Sequence, residues 1–275
     1  MIGLPVRHSL SPTIFNAAFE ACGLDWAYLA FEVPEGAAGL ALGGMRALGL
    51  DGLSVTMPHK AAVLDGLDEL TEPADALGAV NCIIRRGTRL IGDNTDGDGF
   101  LDALRIDEGI DVAGRRCGVV GAGGAGRAVA RALGLAGAAE VVVANRTPEP
   151  AERAAALAGP AGRVGTPEEV AAAEIVVNAT PLGMGVVVTT TGGAEPLPLD
   201  ASRLGSGQVL VDLIYHPAVT PLIHAARDAG AVAVNGLGML IHQAASAFRA
   251  WTGEDAPLEA MSAAALAALR RAENA

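Results

Sequence analysis

The chain has 275 residues, of which 51 % are hydrophobic and only 3 % are aromatic. This length suits two ordinary domains, and a core so poor in aromatic rings must be built from Ala, Val, Leu and Ile, as in α/β proteins with buried parallel strands. The formal net charge of -12 argues against a nucleic acid or an anionic membrane as partner, since either requires a basic face. Any anionic ligand must therefore be held by local cations and helix ends.

The cysteines Cys22, Cys82 and Cys117 are scattered along the chain without C-x-x-C spacing. Their odd number and their spacing predict buried thiols in a reducing cytoplasm, with neither disulfides nor a metal site. No apolar run reaches the ~18 residues of a membrane span, and the N-terminus lacks the apolar core of a signal peptide. We therefore expect a soluble cytoplasmic protein.

The first predicted elements are the end of a strand at residues 1–6 and a helix over residues 13–21. Ser9 and Ser11 precede this helix. Ser11 stands directly before Pro12 and can act as the N-cap of the helix. Alternatively, both serine hydroxyls can point at a carboxylate seated on the helix N-terminus.

A strand is predicted at residues 28–33 and a helix at 36–48. Lys60 ends the next predicted strand, a short segment at residues 52–60 that is broken by proline. It is the only lysine in the chain, and every other basic side chain is arginine. An ammonium group in a dry cleft can release its proton near neutral pH, whereas a guanidinium cannot. The bias therefore favours a chemical role for Lys60 over a solvated lysine at a helix start.

Asn81 and Asp96 stand at or just after the ends of predicted strands, where α/β sheets place ligand-binding groups. These strands cover residues 79–84 and 90–97, and a helix is predicted before them at 65–75. Asp96 can instead cap a helix at about 97–104, and both interpretations stay open.

Glycines at G-x-G-x-x-G spacing, Gly121, Gly123 and Gly126, lie between a predicted strand and a predicted helix. The first glycine allows a tight turn, the second lets a pyrophosphate approach the backbone, and the third lets the helix pack on the strand. The helix N-terminus would then face the phosphates. This context predicts a dinucleotide site, and the alternative is a glycine-rich turn that binds nothing.

From residue 112 onward, strands and helices alternate as a doubly wound sheet requires. The predicted elements are a strand at 117–120, a helix at 125–136, a strand at 140–144, a helix at 149–158, and strands at 174–178 and 209–213. A loop rich in threonine, glycine and proline is expected at 185–207. An apolar run at 237–251 and a helix at 258–271 close the chain.

The second strand of this series ends in Asn145, Arg146 and Thr147. A site for NAD usually carries an acidic residue about 20 residues after the glycines. An amide, a cation and a hydroxyl instead suit a 2′-phosphate, which a carboxylate would repel. The residues predict NADP as the cofactor, with an exposed arginine of no function as the alternative.

Together these stretches resemble the shikimate dehydrogenase family over essentially the whole chain. The resemblance rests on motifs in the expected order at residues 8–12 (His-Ser-Leu-Ser-Pro), 55–60 (Val-Thr-Met-Pro-His-Lys), 94–96 (Asn-Thr-Asp), 121–126 (the glycine loop), 145–147 (Asn-Arg-Thr), 178–184 (Asn-Ala-Thr-Pro-Leu-Gly-Met), 212–215 (Asp-Leu-Ile-Tyr) and 236–243 (Gly-Leu-Gly-Met-Leu-Ile-His-Gln). Motifs in this order are far more specific than any one alone.

The resemblance implies two α/β domains with a cleft between them. Residues 1–97 and 237–275 would form the substrate domain, and residues 98–236 a Rossmann-like domain for NADP. The implied reaction is the reversible, NADP-dependent reduction of 3-dehydroshikimate to shikimate, with Lys60 and Asp96 as the catalytic pair. The implied substrate-binding residues are Ser9, Ser11, Thr56, Asn81, Tyr215 and Gln243. The implied cofactor-binding residues are Gly121, Ala122, Gly123, Gly124, Ala125, Gly126, Asn145, Arg146, Thr147, Thr180, Gly236 and Met239.

Two positions depart from the family pattern. Ser54 stands where many relatives have asparagine. Pro150 stands where relatives often place a second cation for the 2′-phosphate, a role that Arg153 can take one turn later. The alternative functions are a quinate/shikimate dehydrogenase with relaxed or NAD cofactor use, and a non-catalytic NADP-binding sensor. The expected partner is a small-molecule substrate, and the expected assembly is a monomer or a homodimer.

Overall fold

The computed structural model describes residues 1–185 and 197–273. The chain divides into two compact units, the first formed by Met1–Gly99 and Ile241–Ala275 and the second by Phe100–Leu240. Much of the loop predicted at residues 185–207 lies outside the described residues. The part that is described includes a 3₁₀ turn at Ala201–Arg203.

Strands and helices are numbered along the chain. The strands are β1 (Ile2–Gly3), β2 (Phe31–Glu32), β3 (Gly52–Ser54), β4 (Glu69–Leu70), β5 (Cys82–Arg86), β6 (Arg89–Asp93), β7 (Arg116–Val120), β8 (Glu140–Ala144), β9 (Gly162–Val164), β10 (Ile175–Asn178), β11 (Val209–Asp212) and β12 (Val232–Asn235). The helices are α1 (Ser11–Ala21), α2 (Ala38–Leu48), α3 (Glu72–Leu77), α4 (Asp96–Asp102), α5 (Gly124–Leu135), α6 (Pro148–Leu157), α7 (Pro167–Ala171), α8 (Pro221–Asp228), α9 (Leu237–Thr252) and α10 (Leu258–Glu273).

The first unit contains a mixed sheet with the strand order β3-β5-β6-β4. Strand β5 is antiparallel to both neighbours, whereas β4 and β6 are parallel. Strands β1 and β2 pair in parallel, and a bridge between Ile2 and Val55 joins β1 to the segment that follows β3. Helix α2 contributes Leu42 and Met45 to a core that also contains Ile83 and Leu90.

Aromatic rings pack together in the first unit, which corrects the expectation of a purely aliphatic core. The rings of Phe15 and Tyr28 stack at a centroid distance of 4.4 Å, and Trp251 lies 4.9 Å from Phe15. A Cβ atom at Gly52 would come within 2.5 Å of the Trp251 indole. The absence of a side chain at Gly52 therefore leaves space for the indole ring of Trp251.

The second unit is built on a six-stranded parallel sheet with the order β12-β11-β10-β7-β8-β9. Its strands are buried on both faces by aliphatic residues, with Val119 and Ile175 on one face and Val142 and Val176 on the other. The strand order reverses direction between β7 and β10, which is where doubly wound sheets bind ligands at the carboxyl ends of their strands. The predicted α/β class with a Rossmann-like unit is confirmed.

Some local predictions were wrong. The helix predicted at 65–75 is a 3₁₀ turn at Leu64–Gly66 followed by β4 and α3. Asp68 accepts the backbone N–H of Leu90, and β4 pairs with β6, so this segment extends along the sheet. The strand predicted at 28–33 is paired only over Phe31–Glu32. Cys22, predicted to be buried, is exposed, while Cys82 and Cys117 are buried.

The elements that the sequence pattern missed are short. They are β9, α7, α8 and β12. Helix α7 carries a readable signal, because Thr166 and Glu169 form a capping box at its N-terminus. Helix α8 carries a similar signal, because Thr220 caps it and Pro221 is its first residue.

Candidate active site

Lys60 and Asp96 lie side by side in the first unit. Nζ of Lys60 is 2.5 Å from Oδ2 of Asp96, and the exposed fractions of the two side chains are 22 % and 8 %. The lysine backbone is fixed because its carbonyl oxygen accepts the N–H of Val80 at 2.8 Å. The arrangement places a proton donor beside a carboxylate, on a lysine side chain that is still partly exposed.

Asn81 holds the other oxygen of the same carboxylate. Its Nδ2 donates to Oδ1 of Asp96 at 2.7 Å and to the hydroxyl of Thr95 at 3.1 Å, while its Oδ1 accepts the N–H of Thr95. The Asp96 carboxylate is thus engaged by Lys60 and Asn81, and Asp96 is the first residue of α4. The N–H of Asp96 donates to Oδ1 of Asn94 at 3.2 Å.

Thr56 lies on the loop between β3 and Lys60. Its N–H donates to the carbonyl oxygen of Ile2 at 3.0 Å. A Cβ atom at Gly3 would collide with the Thr56 methyl group, so glycine in β1 lets the two segments approach. The same loop is anchored by the buried His59, whose Nε2 donates to the carbonyl oxygen of Val33 at 2.8 Å.

Ser9 and Ser11 form a pair at the start of α1. Their hydroxyl oxygens are 3.2 Å apart, and the N–H of Ser11 donates to the Ser9 hydroxyl. Helix α1 begins at Ser11, and its capping position, Leu10, makes no side-chain hydrogen bond. Ser11 is therefore not the N-cap that one interpretation predicted. Two neighbouring hydroxyls at a helix N-terminus are suited to the two oxygens of a carboxylate.

Gln243 lies on α9, close to the helix that begins at Asp96. The Thr95 hydroxyl donates to the backbone carbonyl oxygen of Gln243 at 3.1 Å. A Cβ atom at Gly99 would come within 2.6 Å of the Gln243 nitrogen. Gly99 thus allows α4 and α9 to touch, and sequence reasoning missed it because an isolated helical glycine carries no distinctive pattern.

The glycine loop of the second unit has the geometry that its spacing predicts. Gly121 has a φ of +99°, a backbone angle that residues other than glycine rarely adopt. Its N–H donates to the carbonyl oxygen of Ala144 at 2.8 Å. A Cβ atom at Gly126 would collide with the carbonyl oxygen of Gly121. At Gly123, by contrast, an added Cβ would meet no atom of the described residues within 4 Å.

The open space beside Gly123 lies where the pyrophosphate of a dinucleotide would approach this loop. The first turn of α5, including Gly124 and Ala125, follows Gly123, and no side chain caps the helix. Backbone N–H groups at an uncapped helix start are donors for an anion. Packing against residues 1–185 and 197–273 thus does not require the second glycine, and the loop fits the pyrophosphate of a dinucleotide.

The residues after β8 provide a second part of the cofactor site. Asn145 links the two loops, because its Oδ1 accepts the N–H of Ala122 at 3.2 Å and its Nδ2 donates to the carbonyl oxygen of Thr147 at 2.9 Å. Arg146 is exposed. Arg153, the predicted second cation, is ion-paired with Glu149 at 2.6 Å.

Arg127 is a further cation near this region that sequence reasoning did not consider. It lies in α5 directly after the last glycine of the loop and is partly buried. Burial first, and the positive charge of Arg153 second, lower the pKa of its guanidinium. The available signal was its position in the first turns of a helix that was already predicted to face phosphates.

Thr180 belongs to a buried network at the ends of β10 and β11. Its hydroxyl donates to Oδ1 of Asn178 at 2.8 Å, and Nδ2 of Asn178 donates to Oδ1 of Asp212 at 2.9 Å. Oδ2 of Asp212 accepts the hydroxyl of Thr220, the N-cap of α8, at 2.6 Å. Burial raises the pKa of Asp212. Sequence reasoning gave Asn178 and Asp212 no role.

Tyr215, Gly236 and Met239 also lie in the second unit. Tyr215 is half-buried just after β11, and the N–H of Ile214 before it donates to the Asp212 carboxylate. A Cβ atom at Gly236 would come within 2.5 Å of the Leu213 carbonyl carbon, so glycine is required there. Met239 packs against the core of this unit.

Residues 1–185 and 197–273 contain neither a membrane-spanning helix nor a metal-binding cluster. No helix in these ranges is long and apolar enough to cross a membrane. No cluster of His, Cys, Asp and Glu in the same ranges could hold a metal ion.

Three family models match the chain. They are the shikimate dehydrogenase substrate binding domain at residues 1–83, an NADP oxidoreductase, coenzyme F420-dependent, at residues 116–192, and the shikimate 5'-dehydrogenase C-terminal domain at residues 236–266.

Individual relatives are similar along nearly the whole chain. The shikimate dehydrogenase (NADP(+)) of Moorella thermoacetica is 47 % identical over 271 residues, which cover 95 % of this chain and 90 % of the relative. The crystal structure of shikimate 5-dehydrogenase from Thermus thermophilus in complex with NADP(H) and shikimate gives a TM-score of 0.88 at 39 % identity and covers 98 % of each chain. The structure of quinate dehydrogenase from Corynebacterium glutamicum in complex with NAD gives a TM-score of 0.84 at 34 % identity and covers 97 % of each chain. At these levels of identity and coverage, the chain belongs to the shikimate dehydrogenase family.

Proposed function

We propose that this chain catalyses the reversible, NADP-dependent reduction of 3-dehydroshikimate to shikimate. The observation that carries the proposal is the pairing of Lys60 with Asp96 at 2.5 Å, with Asn81 on the second carboxylate oxygen. A pure binding protein has no need of an acid–base pair held in this way. The family membership and the glycine loop of the second unit support the same reaction.

The first unit would hold the substrate. We assign Ser9 and Ser11 to its carboxylate, because the two hydroxyls are neighbours at a helix start. Thr56, Gln243 and Tyr215, the last from the second unit, are further candidates for contacts to the carboxylate or the ring hydroxyls. Asn81 already donates to Thr95 and Asp96, so we assign it chiefly to positioning the Asp96 carboxylate.

The second unit would hold NADP. The pyrophosphate would lie over Gly121, Ala122, Gly123, Gly124, Ala125 and Gly126. Asn145, Arg146 and Thr147 would contact the 2′-phosphate end, and Thr180, Gly236 and Met239 the nicotinamide end. When bound, the reduced cofactor supplies a hydride to the ketone carbon.

The protein's own contribution is proton transfer and positioning. As the ketone oxygen becomes an alcohol, Lys60 can donate a proton to it from Nζ. Asp96 would accept a hydrogen bond from the new hydroxyl and keep the ammonium group oriented through their contact. In the reverse direction Lys60 would take the same proton back. General acid–base assistance of this kind contributes about 10²–10⁴ in rate.

The proposal is tested by following the absorbance of reduced nicotinamide while the purified protein oxidises shikimate or quinate, each with NADP and with NAD. Rapid reduction of NADP with shikimate alone is the expected result. No turnover with any combination, in protein that is folded by circular dichroism, would contradict it and favour the sensor.

A quinate dehydrogenase is the second candidate, and the similarity to the Corynebacterium glutamicum enzyme in complex with NAD favours it. Turnover of quinate with a preference for NAD would establish it. Against it stands Arg146 after β8, where an acidic residue would suit the free ribose of NAD.

A further inference from the structure

Tyr28 lies in the first unit just before β2, and its hydroxyl is buried among serine hydroxyls. Its Oη donates to Oγ of Ser54 at 2.6 Å. Ser11 stands one turn before Phe15 on α1, and the Tyr28 ring stacks on Phe15, so the Ser11 hydroxyl lies near the Tyr28 hydroxyl. Ser11 in turn lies 3.2 Å from the Ser9 hydroxyl. Four hydroxyl groups, contributed by Ser54, Tyr28, Ser11 and Ser9, therefore lie close together as one hydroxyl network.

The tyrosine is held rigidly on all sides. Its ring stacks on Phe15 at 4.4 Å and lies 6.0 Å from Trp251. Its backbone is clamped by Asn16, whose Oδ1 accepts the Tyr28 N–H at 2.8 Å and whose Nδ2 donates to the Tyr28 carbonyl oxygen at 3.0 Å. Such a side chain gives its hydroxyl a fixed position rather than adapting to its neighbours.

We propose that Tyr28 is a positioning residue, which together with Ser54 orients the Ser11 hydroxyl so that Ser9 and Ser11 donate jointly to the carboxylate of the substrate. The proposal rests on the proposed function. When a carboxylate is bound, each hydroxyl can rotate to donate toward it, from Ser54 to Tyr28, from Tyr28 to Ser11 and from Ser11 to the anion. Hydrogen bonds aligned in this way strengthen one another.

The chemical state of Tyr28 suits this role. Burial raises the pKa of its hydroxyl well above the ordinary value. The tyrosine therefore stays neutral at any working pH and brings no negative charge near the substrate carboxylate. The serine at position 54 suits it as well, because one hydroxyl can both donate to and accept from Tyr28.

The test compares the wild-type protein with Tyr28→Phe, which keeps the ring stack and the backbone clamp but lacks the hydroxyl. We expect the KM for shikimate to rise about 3- to 10-fold, as for the loss of one hydrogen bond. The KM for NADP and kcat should stay unchanged. Ser54→Ala should also raise the KM for shikimate. The KM of the double variant should be no higher than that of Tyr28→Phe alone, because both changes disrupt the same hydroxyl network.

A substrate analogue separates positioning from a general structural role. Binding of shikimate, and of an analogue in which a hydroxymethyl group replaces the carboxylate, is measured by calorimetry. Tyr28→Phe should weaken shikimate binding and leave the analogue unaffected. Trp26→Phe, a change in the same aromatic cluster on a partly exposed ring, should affect neither ligand.

The outcomes that overturn the inference are distinct from those that overturn the proposed function. Equal weakening of shikimate and the analogue would make Tyr28 merely structural, and unchanged shikimate binding in both Tyr28→Phe and Ser54→Ala would remove the role. Both results leave the activity of the wild-type protein intact. Absence of shikimate binding to the wild-type protein would overturn the proposed function and this inference together.

Discussion

Nζ of Lys60 and Oδ2 of Asp96 lie 2.5 Å apart, in a setting that leaves only 8 % of the Asp96 side chain exposed. Arginine at position 60 would keep the positive charge, but its guanidinium does not release a proton near neutral pH. We therefore expect Lys60→Arg to lower kcat by about 10²–10⁴-fold. Steady-state turnover of shikimate measures this effect.

Cofactor binding provides the control for the lysine variant. Lys60 belongs to the first unit and the glycine loop to the second, so the Kd for NADP should be unchanged in a fluorescence titration. Near-normal turnover by Lys60→Arg would exclude Lys60 as the proton donor.

We expect Asn81 to affect kcat through its hydrogen bond to Asp96. Asn81→Ala removes the 2.7 Å hydrogen bond to Oδ1 of Asp96 and leaves the carboxylate with Lys60 as its one side-chain partner among the described residues. Hydrogen bonds to charged groups contribute about 1.5–3 kcal/mol, so kcat should fall about 10- to 100-fold. Arg89→Ala, which breaks an exposed ion pair with Glu69 on the same sheet, is the matched control. Equal losses in the two variants would contradict a specific role for Asn81.

Two glycines of the loop should respond to alanine in different ways. At Gly126 an added Cβ would lie 2.9 Å from the Gly121 carbonyl carbon and 3.3 Å from Cβ of Ala179. Overpacking costs about 1–3 kcal/mol, so Gly126→Ala should lower the Tm by about 3–10 °C. At Gly123 an added Cβ would have no atom of the structurally described part of the chain within 4 Å, so Gly123→Ala should keep the Tm and weaken NADP binding. A lower Tm for Gly123→Ala, or unchanged NADP affinity, would count against a pyrophosphate at this position.

The second unit could be predicted further from the sequence than the first. Its strands are buried aliphatic runs such as β8 (Glu140–Ala144), whose bounds match the prediction. In the first unit, β4 has only two residues and forms through pairing with β6 and through Asp68 bonding to Leu90. Such contacts join residues that are distant in sequence, so the local pattern of hydrophobic residues does not predict them.

The candidate site was predictable where chemistry selects the residue type. The single lysine and the aspartate after a strand identified Lys60 and Asp96 as candidates, and the structure places them in contact. The support around them was not predictable. Gly99 is required only because α9 approaches α4, and Asp212 acts through partners 34 and 8 residues away.

Arg146 should decide between the two cofactors. It is exposed after β8, and the nearby Arg153 is already paired with Glu149 at 2.6 Å. Arg146→Ala should therefore raise the KM for NADP by about 10- to 100-fold and leave the KM for NAD unchanged. Arg116→Ala is the control, because Arg116 begins β7 at the end opposite to the glycine loop. Equal effects on NADP and NAD would place Arg146 away from the 2′-phosphate.

Asp212 should make the stability of the second unit depend on pH. Burial raises its pKa above the ordinary value of 3.8. A raised pKa means that the stability contributed by the carboxyl is fully present below the ordinary pKa and is lost as the pH rises through the raised pKa. An asparagine side chain does not titrate in this pH range. The Tm of the wild-type protein minus that of Asp212→Asn should therefore decrease as the pH rises above about 4.

Asp200→Asn supplies a control of opposite sign. The hydroxyl and N–H of Ser202 donate to the exposed Asp200 carboxylate and lower its pKa. A lowered pKa gives stability that is present above the ordinary pKa and lost as the pH falls, so the Tm difference for Asp200→Asn should rise with pH. A Tm difference for Asp212→Asn that also rises with pH would mean that the donors Asn178, Thr220 and Ile214 outweigh burial. The network would then stabilise the ionised carboxylate instead of a protonated one.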